Sequence, residues 1–266
     1  MFSIPSGGAG KTTISYNGAD YLANKKHKKT LLIDCDQSCS LTDRIFKRLG
    51  EKHDIDYMEL YNTFSEDDYS VKAIFEGHNP TPIEVSENLD FIAGYNLLSE
   101  IEPKVKNKFS WKAMSFWEKK NQDFLSKYEY LIIDTHNDET ENIYLTSAYL
   151  IADKIVAILP VDETVIKKVE DVITRNDLLK LVEDKAHADV IVVGNKFSEK
   201  DNARKQFKHN FEKLMVEKPE TYVGYFEDRS AMAQAKINGT PITEVKERDK
   251  AFLERTWRTF DAIFGV

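Results

Sequence analysis

Pro5-Ser6-Gly7-Gly8-Ala9-Gly10-Lys11-Thr12-Thr13 follows the short apolar run Phe2 to Ile4 and opens a stretch compatible with helix as far as Ala23. Glycines at positions 7, 8 and 10 let backbone N–H groups close around phosphate oxygens, and the helix start behind them adds the positive end of its dipole. Lys11 supplies a point charge for the β- and γ-phosphates, and the Thr12 hydroxyl is a ligand for Mg²⁺. A glycine-rich turn ahead of a helix would account for the glycines but leave Gly-Lys-Thr-Thr at the helix start to chance. The strict pattern carries glycine where this chain has Pro5. The cradle read from these residues spans Ser6, Gly7, Gly8, Ala9, Gly10, Lys11, Thr12 and Thr13.

Beyond the loop, short β-rich runs alternate with longer helical patterns: Thr30 to Ile33, Leu89 to Ala93, Tyr130 to Ile133, Lys154 to Leu159, Val190 to Val193 and Tyr222 to Phe226. Crossover-length segments between apolar strands predict an α/β fold, a doubly wound and mostly parallel sheet with helices on both faces. Such sheets bind ligands at the carboxyl ends of their strands. Two of the runs end there in acids. Leu31-Leu32-Ile33-Asp34-Cys35-Asp36 places Asp34 and Asp36 on the same side of an extended chain, where either could orient water or Mg²⁺. Tyr130-Leu131-Ile132-Ile133-Asp134 is the arrangement that holds Mg²⁺ through water. Either carboxylate alone would read as a turn former. With Gly10-Lys11-Thr12 they read as a nucleotide site, with Thr12, Asp34 and Asp134 as the candidate metal residues.

At 266 residues with 41% hydrophobic content, the chain can bury a sizeable core, and nothing in it marks a second domain. The net charge of −8 argues against coating nucleic acid or anionic membrane by bulk charge. That charge is concentrated in residues 51–102, thirteen acidic against two basic, which read as an insertion-like surface. No apolar run approaches the roughly 18 residues of a membrane span, so the chain reads as cytoplasmic. Its two cysteines, Cys35 and Cys39, are too few for a disulfide framework or structural zinc and read as packing residues.

Three segments in order resemble the ParA/MinD family of ATPases with a deviant Walker A motif, and most nearly its small ParA-type plasmid partition proteins. They are Gly7 to Thr13, Asp34-Cys35-Asp36-Gln37-Ser38-Cys39-Ser40-Leu41-Thr42 as a first switch, and Ile132-Ile133-Asp134-Thr135 with the segment through Leu159-Pro160-Val161. Gly239-Thr240-Pro241-Ile242 resembles a late turn of the family. The resemblance implies ATP and Mg²⁺ as cofactors, Lys11 and Asp36 as the catalytic pair with Asp36 positioning the attacking water, and Asn195 against the adenine. It also implies an ATP-state homodimer, nonspecific DNA binding, a ParB-like centromere-binding partner and association with the nucleoid. The family's signature lysine falls at Ser6, Gln37 takes the usual proline position, and His136-Asn137-Asp138 follows where the family tends to have proline. Slow turnover is the expectation, with a hydrolysis-deficient regulator as the alternative.

The candidate DNA contacts are Lys205, Lys208, Lys236, Arg255 and Arg258, on basic segments of the last third of the chain. With the loop beginning at residue 5, no helix-turn-helix precedes it, and operator recognition is not expected. The C-terminal pattern Phe252, Leu253, Trp257, Phe260, Ile263 and Phe264 is apolar at helical spacing. A MinD-like membrane helix would carry Lys and Arg on its polar face. Here Glu254 and Asp261 balance Arg255 and Arg258, which predicts core packing and no membrane contact. Iron–sulfur relatives need cluster cysteines beyond Cys39, and kinase relatives a tyrosine-rich tail; the chain has neither.

Overall fold

The computed structural model describes all residues except 4–6, 65–66, 97–109, 137–142, 162–165, 184–185 and 247–248. Its strands are β1 (Phe2–Ser3), β2 (Thr30–Cys35), β3 (Ile83–Ser86), β4 (Leu89–Ile92), β5 (Tyr130–Thr135), β6 (Lys154–Pro160), β7 (Asp189–Phe197) and β8 (Tyr222–Glu227). The helices are α1 (Lys11–Asp20), continued by a wider π turn over Tyr21–Lys25, then α2 (Ser40–His53), α3 (Tyr57–Phe64), α4 (Val71–Phe75), α5 (Ala113–Lys120) and α6 (Gln122–Leu125). They are followed by α7 (Ile143–Ile151), α8 (Ile166–Val182), α9 (Asn202–Glu217), α10 (Ser230–Asn238) and α11 (Lys250–Phe264).

The eight strands form one sheet in the order β3-β4-β2-β5-β1-β6-β7-β8. All pairs are parallel except β3 with β4. Continuous apolar runs suit the centre of such a sheet because both faces are covered; every residue of β2 is buried. The strand β1 lies between β5 and β6, so the loop after it opens where the chain's strand order reverses, the place an open α/β sheet leaves for a ligand. Register then puts Asp34 of β2 beside Asp134 of β5, and Phe2 of β1 beside Asp134 on the other side.

Two parts of the sheet differ from the sequence reading. Ile83-Glu84-Val85-Ser86 is an antiparallel edge strand, because only Glu87 and Asn88 separate it from β4 and a two-residue link permits only a hairpin. The acidic stretch 51–102, expected as an insertion-like surface, supplies β3 and β4 to the sheet and buries Leu60, Val71, Ile74, Phe75, Leu89 and Phe91. Among the described residues, Glu51, Asp54, Asp56, Glu59, Glu76, Glu84 and Glu87 of this stretch are exposed.

A buried polar network joins α1, α2 and the turn after α10. The Arg48 guanidinium donates to the Tyr16 hydroxyl at 3.0 Å and to Asp20 Oδ1 at 3.3 Å, and it pairs with Glu244. Asp20 also accepts from the Asn24 amide at 2.7 Å and from the Thr243 hydroxyl. Burial raises the Asp20 pKa, and the Thr243 hydroxyl and Arg48 oppose it. In α11, Phe252, Phe260 and Ile263 are buried and Trp257 stacks on Tyr21 at 5.1 Å, so its apolar face is part of the core. Among the described residues no helix is long and apolar enough to cross a membrane.

Candidate functional site

Ser6 lies outside the described residues; the loop is described from Gly7 onward. Gly8 and Gly10 have φ of 72° and 100°, which brings the chain round onto the first turn of α1, where Ile14 N–H donates to Gly10 O at 2.9 Å. Glycine at position 10 is also a matter of space. A Cβ there would stand 2.2 Å from Asn195 Nδ2. The end of β7 props the loop from outside: Asn195 Nδ2 donates to Ala9 O at 2.6 Å and Lys196 Nζ to Gly8 O at 2.7 Å. Lys196 adopts a left-handed φ of 61°, and its N–H donates to Asn195 Oδ1 at 2.9 Å. Asn195, which the resemblance placed against adenine, thus has its amide engaged by the loop and by its own neighbour, at the cavity wall.

Lys11 is buried beside two acids. Burial lowers its pKa, opposed by the charges of Asp134 and Asp36. Asp134 is fully buried, and neither of its carboxylate oxygens has a hydrogen bond of normal geometry among the described residues. Burial pushes its pKa up to about 6, helped by Asp36 and opposed by the Thr12 hydroxyl and the Lys11 ammonium. Asp36 Oδ1 accepts from Ser38 N–H at 2.8 Å and meets His136 Nδ1 at 2.7 Å. Thr12 Oγ1 and Ser40 Oγ are 3.5 Å apart, so the helix start and the start of α2 meet across the same space.

Asp34 is placed differently from the expectation that grouped it with the metal residues. Its Oδ2 accepts from the Thr42 N–H at 2.9 Å and hydroxyl at 2.7 Å, and its Oδ1 from Asp36 N–H at 3.2 Å. Burial pushes its pKa up to about 8, with the charge of Asp134 adding to it and the Thr42 hydrogen bonds opposing. The Thr42 hydroxyl in turn accepts from Gly94 N–H at 2.8 Å. Asp34 therefore ties β2 to α2 and to the end of β4, and it does not line the cavity.

That cavity measures about 420 Å³ and is walled on one side by Gly8 to Thr13, Asp36, Ser38, Ser40 and Arg44, and on the other by Asn195, Lys196, Glu227 to Arg229, Met232 and Lys236. A second cavity of about 480 Å³ lies at the amino ends of the strands, between Met1, Leu131, Ile151 and Phe264, and shares no residue with the loop. Among the described residues no three His, Cys, Asp or Glu side chains gather as a ready metal cluster.

The candidate DNA residues separate into two groups. Lys208 pairs with Glu199 at 2.6 Å over the Tyr225 ring, and Arg255 with Glu227 at 2.9 Å. Lys205 and Arg258 are exposed and make no ion pair among the described residues, and Lys236 is at the cavity wall. The sequence reading also passed over Arg44 and Lys196. Ser40 and Arg44 are one helical turn apart, a spacing that puts both on the face of α2 turned to the loop.

Among curated proteins none matches the chain significantly. A family model described as an AAA domain matches residues 2–190. The chain belongs to that family. This AAA-domain protein shares its fold with a plasmid partition protein of Borrelia burgdorferi solved with AMPPNP, at 19% identity and a TM-score of 0.74 over 99% of this chain and 97% of the other. It is similar to an ATP complex of a McdA variant from Cyanothece, at 13% identity and a TM-score of 0.76 over 100% and 95% of the two chains. It is also similar to the MinD cell division protein of Aquifex aeolicus, at 19% identity and a TM-score of 0.62 over 100% and 96%. The fold of this AAA-domain protein is the P-loop fold of the ParA and MinD proteins.

Proposed function

We propose that the protein is a ParA-type ATPase that works as a nucleotide-dependent dimerisation switch in DNA partition, binding DNA nonspecifically in its ATP state. The observation that carries this is the loop cavity itself, with Lys11 and Thr12 at the start of α1 in its wall and the buried Asp134 behind them, close enough for its charge to act on Lys11. The start of α1 suits a phosphate anion, and the Asp134 carboxylate suits a cation beside Thr12. The residues thus fit Mg-ATP: Thr12 would hold the metal directly and Asp134 through its water, and the metal would neutralise charge on the β- and γ-phosphates. Asp36, with Oδ1 engaged by Ser38 and His136, offers Oδ2 to orient the attacking water. The solved partition protein bound to AMPPNP supports the nucleotide class.

In this reading, partition requires a ParB-like partner and places the ATP-bound homodimer on the nucleoid, with Lys205, Lys236 and Arg258 as its available cations. Counterion release makes such binding steeply salt-dependent, and a dimer doubles the phosphate contacts of one acidic monomer. Retention on random-sequence DNA should need ATP and vanish as salt is raised from 50 to about 200 mM. Retention without ATP, or none at low salt with it, would overturn the DNA step. The buried apolar face of α11 argues against a membrane-bound switch.

One residue favours a second reading, a regulator that acts by occupancy alone. Ser6 offers a phosphate one neutral hydrogen bond, whereas a lysine ammonium there would neutralise charge. Single-turnover hydrolysis should be slow in the parent and faster in Ser6→Lys, because cations that stabilise the transferring phosphoryl group are worth roughly 10³- to 10⁵-fold in related sites. Brisk hydrolysis by the parent would mean another cation fills the role, and no gain in the variant would favour occupancy alone.

A further inference from the structure

We infer that Arg44 is a second phosphate-binding cation of the loop cavity, reaching it from α2 and meeting the nucleotide on the α-phosphate side. The inference rests on the nucleotide reading above and adds to it a residue outside the loop. Arg44 lines the cavity, half-buried, and burial lowers its pKa. Its one hydrogen-bond partner among the described residues is the Thr13 hydroxyl, 3.1 Å from Nη1, and it forms no ion pair there. A guanidinium carries five N–H donors in a rigid fork suited to phosphate oxygens. Removing most of them from water without an acceptor is unfavourable, so this arginine is made for an anion that arrives in the cavity.

Arg48, one turn along the same helix, shows the contrast. Its guanidinium is answered by Asp20, Tyr16 and Glu244. Arg44, one turn nearer the loop, has the Thr13 hydroxyl as its hydrogen-bond partner among the described residues, with the charge of Asp134 close enough to act on it. Its backbone is held as well, since Lys47 Nζ donates to Ile237 O at 2.8 Å and the left-handed Gly239 packs where a Cβ would come within 3.1 Å of Arg44 O. The side chain is therefore presented to the loop from a fixed helix.

The position along the phosphate chain follows from Thr13. Lys11 and Thr12 serve the β- and γ-phosphates and their metal, and Thr13 is the next residue along α1. Asp36, assigned to the water that attacks the γ-phosphate, makes no ion pair with Arg44. A cation held at Thr13 and apart from Asp36 reads the part of the nucleotide common to ATP and ADP.

The test is a titration of the full chain with fluorescent ATP and ADP, comparing the parent with Arg44→Gln, Arg44→Lys and Lys11→Ala, with a thermal melt of each without nucleotide. Arg44→Gln should weaken ATP and ADP by the same factor, about 10- to 100-fold for loss of a charged hydrogen-bond pair, with an unchanged melt. Arg44→Lys should recover part of the loss, since it restores charge without the fork. A loss confined to ATP would place Arg44 on the γ-phosphate and overturn the assignment. Unchanged affinities in both Arg44 variants, with Lys11→Ala weakened, would overturn the role of Arg44 while leaving the nucleotide site intact. If Lys11→Ala were also unchanged, the nucleotide reading itself would fall and this inference with it. A lowered melt in Arg44→Gln with normal affinity in a folded Arg44→Lys would mark a structural arginine and overturn the proposal.

Discussion

Lys11→Ala should reduce affinity for Mg-ATP roughly 30-fold or more, the outcome of removing about 2–5 kcal/mol of a desolvated charge pair. The loop's backbone N–H groups would remain, but they are dipoles, and the ammonium is the one full positive charge the loop itself places in the cavity among its described residues. Its burial lowers its pKa, and the charges of Asp134 and Asp36 oppose that shift. A ligand phosphate would add to that support. The substitution also removes the cation that offsets Asp134, whose carboxylate makes no hydrogen bond of normal geometry among the described residues. Isothermal titration of the variant with Mg-ATP is the measurement, and unchanged affinity would remove the loop from the function.

Arg48→Ala should lower stability by about 3–5 kcal/mol, the usual consequence of leaving one member of a buried ion pair without the other. Asp20 has no access to water and is held between α1 and the 241–244 turn. Among the described residues it would then keep the Asn24 and Thr243 donors, and its burial would no longer be offset by Arg48. The Tyr16 hydroxyl loses its partner in the same step. Urea unfolding followed by circular dichroism would report the change. The double variant Arg48→Ala with Asp20→Asn should lose less than the two single losses together, because removing the carboxylate's charge removes the reason for the penalty. A loss below about 1 kcal/mol would show that solvent reaches Asp20 readily.

The network ranks low as a source of net stability, since a well-packed apolar replacement for a buried ion pair is often neutral or better. Its effect is geometric. It ties α1 to α2, the helices that bring Thr12 and Thr13 and Ser40 and Arg44 to the cavity wall.

What could be read in the residues alone was local. Gly10-Lys11-Thr12-Thr13 after a short apolar run marks a glycine turn into a helix start, since the glycine answers a backbone need and the lysine and threonine a charge need within a few residues. Apolar runs ending in Asp34 and Asp134 announced strand ends for the same reason: a buried strand must stop where a carboxylate has to be accommodated. Alternation of such runs with helical periodicity was enough for a doubly wound sheet. The chain's own order therefore determined the frame of the site.

Tertiary structure decided which of those residues share a space. Asp34 and Asp134 look alike in sequence and stand side by side in the sheet, yet Thr42 and the backbone of Asp36 engage the first and leave the second orphaned. Whether a carboxylate is answered depends on what folds against it, here a helix that begins six residues after Asp34. Lys208 and Arg255 have the sequence look of open cations until the fold brings Glu199 and Glu227 beside them. Arg44 and Lys196 carried no signal of their own because each acts across a gap, on Thr13 and Gly8, from 31 and 188 residues away. Periodicity reports the face on which a side chain lies. Its partner depends on how the strands are ordered, and strand order is set by the packing of the whole sheet.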